Sequence, residues 1–139
     1  MGTWDAGNFD NDSARDFLAV MMDRWISIID EALAGEPPPE ASQMELAPGL
    51  ELIEGCVMPT AELLIATIER FEEAERVPTP KQVTGWSELA LAAYDSEIEG
   101  FDPDEEYKRE RRRVIADTFA RLLAIAESHE QTYGPPLEE

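Results

Sequence analysis

Four groups of residues in this chain have types and spacings that chemistry could use. Asn8, Asp10 and Asp12 alternate as the first ligands of a calcium loop do. Ser13 stands where that loop needs its sharp-turn glycine and Ala19 where it needs its bidentate glutamate, so helix capping accounts for the same residues without an ion. The single histidine, His129, lies beside Glu130 and one helical turn before Tyr133. Alone it cannot build a zinc site of the usual kind, and no cysteine is near it in sequence. The single cysteine, Cys56, falls on the apolar phase of a helical pattern, where a buried inert thiol is expected. A Cys56–His129 pair across the fold has no sequence support. The fourth group is the carboxylates, 31 Asp and Glu against 11 Lys and Arg, for a net charge of −20.

A field of that sign repels duplex nucleic acid and anionic membrane and attracts basic proteins and cations. The acids gather in two patches: the outer face of the second helical pattern, with Glu62, Glu69, Glu72 and Glu73, and a turn holding Asp95, Glu97, Glu99, Asp102 and Asp104. These are the candidate binding residues. The basic run Lys108, Arg109, Arg111, Arg112 and Arg113 is expected to pair locally along its own helix, as Glu105→Arg109 and Asp104→Lys108, each such pair contributing only a few tenths of a kcal/mol. The expected function is therefore a non-enzymatic acidic binding protein whose partner is a basic protein, in its sharper form an immunity-type or DNA-mimic inhibitor that occupies the partner's phosphate sites. The alternative from another class is a small carboxylate-dependent enzyme, metal or acid–base, of unspecified substrate. No catalytic residue, metal ligand or cofactor is assigned, because no carboxylate pair has a distinctive spacing and no Gly-rich phosphate loop follows a strand.

The elements that must carry these residues are all helical. A chain of 139 residues is one domain's worth, and no strand-like alternation of any length interrupts it. The periodicity predicts an all-α, single-layered bundle of about four helices: 13–34, 50–76 kinked at Pro59, 80–97 and 103–133. An ordered N-terminal arm (1–12), a Pro-rich loop (35–48) and a short tail (134–139) complete a single domain. Asp12 or Ser13 is the expected start of the first helix, Ser13 and Asp16 forming a short capping box, with Gly35 its stop. Ile53, Cys56, Val57, Thr60, Leu64, Thr67, Ile68 and Phe71 keep one phase across Pro59, which favours one kinked helix over two. Thr79, Pro80 and Gln82 form the clearest start signal. Val83, Trp86, Ala90, Ala93 and Tyr94, with Leu89 alongside, supply the buried face that follows. Asp102 and Pro103 are expected to open the last helix, and Gly134 to end it. No apolar stretch is as long as a membrane span and no secretory leader precedes the acids, so the cytoplasm is the expected compartment.

The opening, Met1 to Phe17, is the most distinctive stretch. Trp4, Gly7, Phe9, Asp10, Asn11, Asp12, Ala14, Asp16 and Phe17 match W-G-x-G-x-F-D-N-D-x-A-x-D-F, with Asp5 in place of the second motif residue. In this it resembles a bacterial family of small proteins described as a domain of unknown function. Weaker likenesses lie at Ala61, Glu62 and Ala66 and from Pro80 to Trp86. The resemblance implies a helical fold and no activity. The residues themselves predict an arm that plugs Trp4 and Phe9 into the core and then caps the first helix.

Overall fold

The computed structural model describes residues 7–71 and 76–134, and among them there is no strand. Helix α1 spans Asp12–Leu33. Its cap is Asn11, one residue before the expected start: the Asn11 backbone is extended and its Oδ1 accepts the Ala14 N–H at 2.8 Å. Ser13 lies inside the first turn, so the expected Ser13–Asp16 box does not form the cap. Just before it, Gly7 and Asp10 close a turn on each other, the Gly7 N–H donating to Asp10 Oδ2 and the Asp10 N–H to the Gly7 carbonyl. Phe9 is half-buried edge-on against Phe71, with ring centroids 4.9 Å apart. Phe17 points outward and is 62% exposed, and Trp4 lies outside the described residues. Among the described residues the arm therefore supplies a turn, a cap and the Phe9 contact.

Gly35 ends α1 with a positive φ, as expected. The Pro-rich segment that follows is more ordered than its composition suggests. It carries a short helix, α2 (Pro39–Ser42), with Pro39 at the first position, where a missing N–H costs nothing. Pro38 and Ala41 are buried. Arg24 of α1 forks onto Glu40 (2.9 and 2.7 Å) and also donates to Glu31 at 2.9 Å. The segment is a strap laid on the bundle rather than a simple loop.

The next helical run is continuous through Pro59, as the apolar phase predicts. It consists of α3 (Leu50–Leu52), a π turn (Ile53–Val57) and α4 (Met58–Arg70). The irregularity lies one turn before Pro59. There the Met58 N–H reaches back five residues to the Ile53 carbonyl, which widens the helix ahead of a residue with no N–H to give. The Thr60 hydroxyl donates to the Cys56 carbonyl at 2.7 Å. Gly55 leaves space for the strap: a Cβ there would stand 2.8 Å from Leu46 Cδ1. The run ends at Arg70 instead of residue 76, because Phe71 leaves helical geometry; residues 72–75 lie outside the described residues.

Helix α5 (Pro80–Glu97) begins as predicted, with Thr79 and Gln82 in a reciprocal capping box. A 3-10 turn (Ile98–Phe101) leads to α6 (Glu105–Tyr133). Asp102 does not cap α6. It takes a left-handed backbone (φ 51°) that turns the chain, Pro103 stays outside the helix, and Asp104 is the flanking residue.

Helix α5 packs most extensively on α6, α4 packs on α6, and α1 lies across α4, α5 and the π turn. Tyr94, Phe119, Met22, Ile29, Leu52, Leu64, Ile65, Ile115 and Leu122 are fully buried between them. Trp86 is also buried, and its indole N–H donates to Asp30 at 2.6 Å, joining α1 to the start of α5. Leu89, expected beside that face, is 52% exposed because it sits at the edge of the stripe.

The Arg24 fork holds the Glu40 carboxyl at about 2, below its ordinary 4.5. A carboxyl whose folded pKa is depressed stabilises the fold above its ordinary pKa and loses that contribution as pH falls through the folded one. Glu40→Gln should thus cost about 1 kcal/mol at neutral pH, a small figure because the pair is half-exposed. The gap to the parent chain should close between pH 4.5 and 2. Urea titrations across that range measure it; a gap independent of pH would refute the assignment.

Candidate functional site

The acidic turn and the basic run meet where α5 passes into α6. Tyr94 sits near the end of α5 because its ring continues the buried stripe of Val83, Trp86 and Ala90. A buried phenol needs a partner, and its hydroxyl donates to the Lys108 carbonyl in the first turn of α6 at 2.9 Å. Burial pushes the Tyr94 pKa up, so the hydroxyl keeps its proton. Ile98 is buried and pins the intervening 3-10 turn. The start of α6 is thus fixed relative to α5.

From that start the arginines reach other elements and not their own helix. Arg112 forks onto Asp95 of α5 (2.8 and 2.9 Å), Lys108 meets Glu99 at 2.5 Å, and Arg111 forks onto Glu54 in the π turn. Only Arg113–Glu110 is local, at 2.5 Å. The expected pairs Glu105→Arg109 and Asp104→Lys108 do not form, because Lys108 turns back to Glu99 and Arg109 points into solvent. The hydrogen bond that Arg112 donates holds the Asp95 carboxyl below its ordinary range, and the one Lys108 donates to Glu99 raises the Lys108 ammonium. Asp95 and Lys108 therefore stay charged through neutral pH.

The nine candidate acids divide by what they touch. Asp95 and Glu99 are tied to α6, and Glu69 stands 3.5 Å from Arg121. Glu97 accepts the Leu50 N–H at 3.2 Å and so caps the start of α3. Glu62, Asp102 and Asp104 are exposed and form no ion pair among the described residues. Glu72 and Glu73 lie outside the described residues. The unpaired acids on the turn continue into α6 with Glu105 and Glu106, both exposed.

Two aromatics stand among them. Phe101 is 61% exposed at the end of the 3-10 turn, and Tyr107 is 53% exposed in the first turn of α6. Neither was singled out by the sequence pattern. The available signal was that both lie off any apolar stripe, inside an acidic run.

The remaining candidates do not converge. His129 stacks on Tyr133 with centroids 4.7 Å apart. Cys56 is buried in the π turn, where desolvation first, and then the charge of Glu40, raises its thiol. Among the described residues no three His, Cys, Asp or Glu side chains come together as metal ligands would. No helix among them is long and apolar enough to cross a membrane. No family model, curated protein or solved structure matches this chain.

Tyr94→Phe isolates the bond that fixes α6. It removes a donor while leaving the Lys108 carbonyl its place in the helix, so about 1 kcal/mol of unfolding free energy should be lost. The slope of the urea transition should not change. Chemical denaturation of the two chains tests this, and equal midpoints would show that the bond contributes nothing.

Proposed function

We propose that this chain is a non-enzymatic binding protein that presents the α5–α6 turn to a basic protein. The observation that supports the reading is the pairing of two exposed aromatics, Phe101 and Tyr107, with the unpaired acids Asp102, Asp104, Glu105 and Glu106 on a turn braced from behind. Aromatic anchors ringed by charge are the composition of an interface hot spot with a polar rim. Asp95 and Glu99 serve that surface indirectly, by spending their charge on the helix that holds it. A partner that fits has apolar pockets within a Lys- and Arg-rich rim. In the sharper form of the reading that rim is a nucleic-acid-binding cleft, which the acids fill as phosphates would, and the chain is an immunity-type inhibitor. The likeness of the opening to a bacterial family carries no activity and adds only the fold expectation to this reading.

Capture from the native cell at low and high salt identifies the partner, and titration then gives its Kd. Phe101→Ala with Tyr107→Ala should weaken binding by about thirtyfold or more, chiefly through dissociation, if these are hot-spot residues. Neutralising the four unpaired acids together should flatten the salt dependence. A partner indifferent to both changes would overturn the assignment.

A further inference from the structure

We infer that residues 36–48 form a gated strap, which opens on its own and uncovers Cys56 and the π turn while the helices stay packed. The inference does not depend on the binding reading.

The strap has a hinge at each end. Gly35 and Gly49 both have positive φ, +86° and +95°, the region that glycine enters without strain. Across its middle the backbone hydrogen bonds are internal, Ala41 and Ser42 donating to Pro38, Met44 to Ala41 and Glu45 to Ser42; at its two ends Glu36 donates to the Glu31 carbonyl of α1, and the Ala47 carbonyl accepts from Leu52 of α3. No backbone hydrogen bond of residues 37–46 crosses to a helix of the bundle among the described residues. Lifting the strap therefore costs at most these two end bonds and leaves the helices' own backbone ladders intact.

Its hold on the bundle is small. Pro38 and Ala41 are its buried side chains, and Leu46 lies half-buried over Gly55. Among the described residues its one side-chain polar attachment is the Arg24 fork onto Glu40, whose side chains are 33% and 53% exposed. By contrast α1, α4, α5 and α6 are joined through fully buried Met, Ile, Leu, Phe and Tyr. A segment with few apolar contacts, and with backbone bonds to the helices only at its two ends, opens at a free energy well below global unfolding. Beneath it lies Gly55, against which Leu46 packs; Cys56 is the next residue of the same π turn, buried, and near enough to Glu40 for that charge to disfavour the thiolate.

Cys56 is the chain's single cysteine and so reports the opening directly. The experiment follows modification of the full chain by an aromatic disulfide reagent at increasing urea, in the parent, Arg24→Gln, Glu40→Gln and Arg76→Gln. The last breaks a comparably exposed pair with Asp23 away from the strap. In the parent the rate at low urea should be nearly independent of urea, which marks a local opening, and should join the global-unfolding slope only near the transition. On that flat limb Arg24→Gln and Glu40→Gln should each accelerate modification about fivefold, the equivalent of losing one partly exposed charged pair. Arg76→Gln should stay within about twofold, as expected of an exposed pair elsewhere on the surface.

The two strap substitutions act oppositely on the thiol itself. Removing Arg24 takes away a cation and slows thiolate formation, whereas removing Glu40 takes away an anion and favours it. Acceleration by both means gating. Acceleration by Glu40→Gln alone would be a charge effect and would overturn the strap. So would a parent rate that follows the global-unfolding slope from the lowest urea.

Discussion

The hydroxyl of Tyr94 is sealed inside the bundle, and a phenol in that position must find an acceptor or cost the fold the desolvation of a polar group. It finds the Lys108 carbonyl. That bond sets where α6 begins along α5, and much follows from the register. With Lys108 placed, Arg111 and Arg112 fall on the faces of α6 that look toward Glu54 and Asp95. The acidic turn is left outside with its acids unpaired and its aromatics exposed. One buried donor thereby decides which charges are structural and which remain available.

The second constraint is Pro59. A helix that must run unbroken beneath α1 and α6 cannot supply the hydrogen bond that a proline lacks. The chain answers with a π turn just ahead of it. The wider turn contains Gly55, whose lack of a side chain lets Leu46 lie against the helix, so the strap and the irregular helix fit each other. Glu54 projects from the same turn to Arg111, so the irregular segment is also fixed to α6. The π turn is thus where strap, second helical run and last helix meet.

The all-α class and the buried stripes were legible in the sequence because they rest on local periodicity. Ile53, Val57, Leu64 and Ile68, and likewise Ile115, Phe119, Leu122 and Ala126, are buried as their spacing predicts. The start of α5 was legible because Thr79, Pro80 and Gln82 all favour the same boundary. The start of α1 was less so: Asp10, Asn11, Asp12 and Ser13 can all cap, and only the turn closed by Gly7 and Asp10 selects Asn11. Leu89 was misplaced because a residue at the margin of an apolar stripe faces the core or solvent according to a small rotation of its helix. The ion pairs were illegible for a stronger reason. Local spacing favours Asp104 for Lys108, but the turn brings Glu99 back to it, and no one-dimensional pattern contains that approach.

Glu97 joins these lines. Its place in an acidic run suggested a surface charge, yet its carboxylate accepts the Leu50 N–H at the start of α3. A carboxylate at a helix N-terminus is favoured by the unpaired N–H groups there. It can come so close only because Gly49 has no side chain: a Cβ at that position would collide with the Glu97 carboxylate. Gly49 thus has two duties, the left-handed hinge of the strap and the gap through which α5 grips the second helical run. A high density of acids does not by itself make an interaction surface. In this chain the same residue type braces α6, caps α3 and clamps the strap, and the acids left over after those tasks, gathered around Phe101 and Tyr107, are the ones a partner can use.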